Sequence, residues 1–446
     1  MSNLSTTARA VLRRSEGPVL LAVAGATMAQ TRLLPGLLVA DLALGVAMLW
    51  AVAILWATRT RPRFPGWGWL LVALAAWAAI AAAFLAQVSP LPFSAAEWAK
   101  SFAKLCFYAA AVLCLAQMAP SVSRRRLAEG LLWIVAVNGL VGLYVYAVMA
   151  SGAPLPYRFL WAGTGEGDET ALFVRAGQQF LRLRGLAAEP SYFGYFQLLA
   201  LAASLLLRPV VDRRRWRVPV AVLAILLTFS LTTYALAAVA AVVLAVARRK
   251  ELAPQLPRWA MLAAACLLLV AVLPAPRRAL SEMIVQRGVD VVSGDSLPLE
   301  NARLAGTWES LRLLWGASPV LGVGLGNYDV ALEGVAHRLD PSLGSRHSQG
   351  WNVLAYVAAT LGTPGLLLLL ALFGLLARHS PAGGLLLSAA TFADGTWLGA
   401  PFWLAFLLFW LGAAMADREA APATAASATK PPAATARAHQ GSSAPR

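Results

Sequence analysis

Charged residues are scarce in this chain: they make up 13% of its 446 positions, against 59% hydrophobic, too little polar surface to cover a soluble globule. That scarcity excludes an ordinary water-soluble enzyme. Cysteine is nearly missing as well, and Cys106, Cys114 and Cys266 all sit inside apolar runs. A disulfide framework and a zinc-type ligand spacing are both excluded, which leaves these thiols as packing residues. The alternating period of a barrel strand is nowhere visible. Since lipid offers no partners to open backbone groups, any membrane crossing here must be helical.

Long apolar stretches are what the chain has in abundance. Twelve segments are long enough to cross a hydrocarbon core, near 18–31, 37–57, 67–87, 99–119, 128–150, 189–207, 217–231, 233–247, 258–274, 350–377, 382–398 and 400–416. The expected fold class is therefore an all-α polytopic membrane protein, with the lipid bilayer as its first partner. Arginine orients it. Clusters at Arg9, Arg13 and Arg14, at Arg59, Arg61 and Arg63, at Arg124 to Arg126, at Arg213 to Arg217, at Arg248 to Lys250 and at Arg378 each follow an even number of spans. By the positive-inside rule the amino terminus (1–17), these loops and the tail are expected to be cytoplasmic. Most of the net charge of +16 lies in these clusters, so no nucleic-acid partner is needed to explain it.

The first span has a basic start, a short apolar core and a small-residue end, as a signal peptide does, but reads better as a retained first helix. The last segment, 417–446, is rich in Ala, Pro, Thr and Ser without apolar periodicity and is expected to be a disordered tail. Two loops are too long to be mere connectors, and both fall on the non-cytoplasmic side: 151–188, between spans five and six, and 274–349, between spans nine and ten. The second contains "ARLAGTWESLRLLW", where Leu304, Trp308, Leu311 and Leu314 recur at helical spacing with Arg303, Glu309 and Arg312 between them, an amphipathic helix.

The stretch "RLRGLAAEPSYFGYF", residues 182–196, crowds Arg182, Arg184, Glu189 and Pro190 against the start of the sixth span. One reading is a capped helix flanked by arginines that snorkel to the interface. The other is an anion site, because guanidinium groups gathered at a low-dielectric edge bind phosphate bidentately.

"RLRGLAAEPSYFG" resembles the R-x-x-G-x-x-x-x-P-N/S element of the O-antigen ligase and polysaccharide polymerase superfamily. "SPVLGVGLGNY", residues 318–328, is similar to that family's P-L-x-G-V-G-x-G-x-F/Y element, and "WNVLAYVAATLGTPGLLLL", residues 351–369, resembles its H-N-x-x-L-x(6)-G-x-x-G helix. "LLTFSLTTYALA", 226–237, is similar to a serine-containing turn between two central spans. The resemblance runs from about residue 20 to 415. The glycines Gly322, Gly324 and Gly326 have no βαβ context, so a tight turn folding the outer loop back is expected rather than a nucleotide site.

The resemblance implies a GT-C-like glycosyltransferase in a bacterial inner membrane. Such an enzyme passes a glycan from undecaprenyl pyrophosphate to an acceptor hydroxyl on the periplasmic face, with inversion. A polymerase of surface polysaccharide is the preferred form, with a chain-length regulator as a further partner. An O-antigen ligase delivering to lipid A core and a transporter of lipid-linked sugars are the alternatives. The outer loops hold no Asp-x-Asp pair, and Asp290, Asp295 and Glu300 show no ligand spacing, so a metal-independent reaction without cofactors is expected. By motif position Arg184 and Arg303 would clamp the pyrophosphate, with Arg182 as a third. Arg303 also fits a merely solvated helix face. Of four histidines, His379 and His439 fall on the cytoplasmic side, leaving His337 and His347. His347 is the better-placed base although Trp351 stands where the family's histidine would be, and Glu189 is its rival. Asp41, near the outer end of the second span, also resembles a family feature and reads equally as a helix cap.

Overall fold

The computed structural model of the chain describes residues 15–28, 31–34, 37–59, 61–62, 64–151, 172–175, 178–187, 189–207, 216–249, 298–339, 352–393 and 397–428, with isolated positions between 261 and 285. Its helices are α1 (Gly17–Ala26), α2 (Val39–Ala57), α3 (Gly68–Val88), α4 (Ala95–Ala116), α5 (Arg124–Ala150), α6 (Pro190–Leu207), α7 (Arg217–Leu226), α8 (Leu231–Ala247), α9 (Pro298–Ala317), α10 (Tyr328–Gly334), α11 (Val353–His379), α12 (Pro381–Ala393) and α13 (Ala400–Ala428). Two short antiparallel hairpins, β1 (Arg32–Leu34) with β2 (Leu37–Leu38) and β3 (Leu172–Arg175) with β4 (Gln178–Leu181), are the additions to an otherwise helical plan.

Six helices, α2 to α6 and α11, are long and apolar enough to cross a membrane; α1, α7, α8, α12 and the first part of α13 are apolar but shorter. The chain is thus an α-helical membrane protein. Among the described residues six of the twelve expected spans fall on helices long enough to cross, five more overlap shorter apolar helices, and the ninth, 258–274, lies mostly outside the described residues. The expected seventh span, 217–231, stops at Leu226. Its end is a buried turn in which Phe229 takes a left-handed φ of 44°, a conformation bulky side chains rarely adopt.

Polar residues at the sequence-readable positions start the helices. Ser94, Ser123 and Ser230 accept hydrogen bonds from the amides of Glu97, Arg126 and Thr233, and Asn352 accepts from Leu354 and Ala355. Helix α6 is the hub, with 78% of its apolar window buried against 28% for α2, and it packs against α5, α7, α8, α12 and α13. Within it Gln197 pairs with Asn138 of α5 at 3.0 Å and donates to the Val135 carbonyl, which satisfies an amide that hydrocarbon could not. At its C-terminus the carbonyls of Leu207 and Leu206 accept from the guanidinium groups of Arg124 and Arg248, cations placed where the helix dipole is negative. At the same end Glu16 accepts from the Ser123 amide at 2.9 Å. This seats α1, with Val19, Ala22, Val23 and Ala26 fully buried, against the bundle.

Helix α11 is broken at Gly362, which has a φ of 66° and ψ of −169°, and Pro364 follows with no N–H to give. Three carbonyls lose their helical donors there. Val323 donates to Ala359 and Gly324 to Thr360, both at 2.9 Å, while the Trp77 indole of α3 donates to Leu361 at 2.8 Å. In return the Thr363 amide and hydroxyl both donate to Pro319 at 2.8 Å. The glycine-rich loop between α9 and α10 therefore replaces the missing turn of α11. Irregular backbone is tolerated inside a membrane protein only when protein covers it in this way.

Candidate functional site

The segment 182–187 lies over the turn joining α7 to α8. The Leu183 amide donates to the Leu227 carbonyl at 2.8 Å, and Arg182 Nε donates to the Thr228 carbonyl at 3.1 Å. Gly185, with a φ of 58°, rests its Cα on the Phe193 ring, where any Cβ would come within 2.5 Å. Thr31 at the end of the α1–β1 connection donates to the Leu186 carbonyl and ties the segment down from the other side. Arg184 is 1% exposed, one of the largest fully buried side chains in the protein. That burial argues against the snorkelling reading, which keeps the charged head in water.

Glu189 follows at the threshold of α6, half-buried, its carboxylate accepting from the Ser191 hydroxyl at 2.9 Å and its carbonyl from the Phe193 amide. The turn opposite is crowded: Thr228, Phe229, Ser230 and Thr233 are all buried, and Gly194 of α6 lets the Thr233 side chain approach where a Cβ would lie 2.6 Å away. Tyr234 donates its hydroxyl to the Leu226 carbonyl. Arg182, Arg184, Glu189 and this strained turn thus form one corner. Below it an apolar hollow of about 320 Å3 runs between α6, α7 and α8, from Ile225 and Leu226 down to Leu244.

The second element is α9 with α10. On α9 the inward stripe is Thr307, Ser310 and Leu314, whereas Trp308 is 68% exposed. Of the expected face, Leu314 is buried and Leu311 packs beside it, but Trp308 is corrected: Thr307 and Ser310 face inward where α9 packs on α11, and the indole points out. Position 303 falls in register with the inward stripe, four residues before Thr307. Its side chain lies outside what is described, as does the whole of His347. His337 is described and exposed, next to Arg338. His379 lies at the other end of the bundle, at the end of α11. Asp41 accepts a hydrogen bond from the Tyr108 hydroxyl at 2.7 Å, a partner the sequence does not announce.

Helix α10 is pinned by Asn327, which accepts from the Ser94 amide at 2.6 Å, and by stacking of Tyr328 on Tyr356 at 5.2 Å. Burial pushes the Tyr328 hydroxyl up to about 12, against a hydrogen bond from Ser310 that lowers it. Partial burial, then Glu333, then Glu97 raise Asp329 above its ordinary value of 3.8. A carboxyl raised on folding favours the folded state below that value and disfavours it as pH rises through the folded value. Asp329→Asn is therefore expected to raise the melting temperature at pH 7.5 and to leave it unchanged near pH 3; a lower melting temperature at pH 7.5 would refute the assignment.

Arg182 and Arg184 thus lie in the segment over the α7–α8 turn and Glu189 at the start of α6, position 303 is on a separate helix against α11, and His347 is outside the described residues. Among the described residues no group of three or more His, Cys, Asp or Glu side chains could hold a metal ion. Comparison of the chain with protein-family models and with curated proteins gives no match.

Proposed function

We propose that this chain is a twelve-span, GT-C-like membrane glycosyltransferase of the kind its motifs resemble. It elongates a surface polysaccharide by moving a glycan from undecaprenyl pyrophosphate to the hydroxyl of another lipid-linked repeat, on the periplasmic face of a bacterial inner membrane. One observation carries the reading: the segment holding the buried Arg184 is tied through Arg182 and Leu183 to the turn after α7, and an apolar-lined hollow between α6, α7 and α8 begins at Ile225 and Leu226 just before that turn. A diphosphate on a polyprenyl chain asks for that pairing of guanidinium head and greasy groove. The alanines Ala237, Ala240 and Ala241 of α8 give the hollow its width.

In the reaction the acceptor oxygen forms a bond to the anomeric carbon as the bond from that carbon to the phosphate oxygen breaks. The electron pair leaves on the pyrophosphate, and the acceptor proton passes to a base. Arg184 and Arg182 neutralise the charge that grows on the leaving group, with Arg303 as the third guanidinium the motifs imply. Two bases stand open, His347 and Glu189, and the Ser191 hydroxyl already orients the Glu189 carboxylate.

Purified, detergent-solubilised protein given an undecaprenyl-pyrophosphoryl repeat unit is expected to lengthen the glycan and release undecaprenyl pyrophosphate, with EDTA making no difference. Whichever of His347→Ala and Glu189→Gln removes the base should lower the rate by about two to four powers of ten. Absence of undecaprenyl pyrophosphate release by the wild type would end the transferase reading, and movement of labelled lipid across a liposome bilayer would then establish transport.

A further inference from the structure

At the arginine-rich end of the bundle, away from the Arg184 corner, a second hollow of about 420 Å3 opens between the start of α3, the end of α11 and α13. Pro65, Gly66 and Trp67 form one wall, Leu375 and His379 another, Phe406 and Trp410 the third. The Trp67 ring meets Phe406 and Trp410 edge-on at 5.2 and 5.4 Å, so its position is fixed by packing. Trp67 is only 6% exposed, yet among the described residues its indole N–H meets no acceptor. Buried indole N–H groups normally find one.

His379 supplies the second polar group. Its Nδ1 lies 2.8 Å from the Leu375 carbonyl, which only a protonated Nδ1 satisfies, so that Nε2 is an acceptor in the neutral ring and a donor only in the imidazolium. The lining residues include no carboxylate, and Arg378 precedes His379 while Arg59 and Arg61 precede the Pro65 wall. An indole N–H without an acceptor, a lining free of carboxylates, arginines in the segments that lead into it and a floor of aromatic rings fit an anion with a greasy body.

We propose that this hollow binds the phosphate of an anionic lipid headgroup, with the indole N–H of Trp67 and the imidazolium form of His379 on its oxygens and the acyl chain along Leu375, Phe406 and Trp410. The site is independent of the transferase reading. Its place beside the arginine clusters puts it in the cytoplasmic leaflet, where anionic lipids attract basic segments.

Native mass spectrometry of the full chain, released from detergent with phosphatidylglycerol or phosphatidylcholine, tests it. The wild type should retain one phosphatidylglycerol in preference to phosphatidylcholine. Trp67→Phe, which keeps an aromatic ring, and His379→Gln, an exposed position, should each weaken that retention about tenfold, the loss of one hydrogen bond to a charged group. Melting temperatures within a degree or two of the wild type would show that both variants fold. Equal retention of the two lipids, or retention untouched by both substitutions, overturns the proposal. Displacement by millimolar inorganic phosphate without regard to the acyl chain overturns the lipid and makes the ligand a soluble phosphate compound.

Discussion

Arg184→Met is expected to leave the protein folded while glycan transfer falls by about two to three powers of ten. Methionine keeps most of the buried volume and removes the charge, so the variant separates a packing role from an electrostatic one. Burying a guanidinium costs free energy even when it is well partnered, and replacing a buried ion by an apolar group of similar size is often neutral or stabilising. Arg184, at 1% exposure, bears that cost at the corner where Arg182, Glu189 and the left-handed Phe229 meet. The expected pair of results is therefore a melting temperature equal to or above that of the wild type and a rate near the floor, the signature of a charge kept for function. Arg184→Lys should recover only part of the rate, because an ammonium cannot present two parallel donors to a diphosphate. If Arg184→Met elongates glycan normally, the arginine is structural and the clamp must lie elsewhere.

Much of the fold was legible because lipid imposes it. Apolar runs near twenty residues predicted the helices, although α4 and α5 begin four residues before the expected 99 and 128, just after the capping Ser94 and Ser123. Helix ends set by tertiary partners were not legible. Nothing local says that the seventh span stops at Leu226, since the cause is the Leu183 amide on the Leu227 carbonyl, forty-odd residues away in sequence. The face of α9 was misread for a similar reason: Trp308 looks like an anchor, yet close packing on α11 asks for Thr307 and Ser310 instead. At the candidate site the motif found Arg182, Arg184 and Glu189, whereas Tyr108 as the partner of Asp41 and Trp77 as the donor to Leu361 are long-range pairings that no spacing encodes.

Gly322→Ala should be among the most damaging single methyl additions at the described glycines, beside Gly362→Ala. At Gly322 the φ is 70°, and a Cβ would lie 2.4 Å from the Thr360 carbonyl carbon and 2.6 Å from the Gly362 amide, both backbone atoms that have no rotamer to change. The loop must lift, and with it go the donors to Ala359 and Thr360 at the break of α11. Carbonyls stranded in an apolar interior cost several kcal/mol each, more than a domain's usual margin can absorb twice. The variant is therefore expected to melt far below the wild type, to be cut by protease between α9 and α11, and to lose transfer along with the fold. Gly324→Ala, where the nearest atom is a Phe93 ring carbon at 2.7 Å, should be milder since a ring can turn aside. Gly316→Ala, in α9 with open space around it, should be neutral or slightly stabilising, as expected of glycine in a helix. A Gly322→Ala protein that melts like Gly316→Ala would mean that the loop does not hold α11.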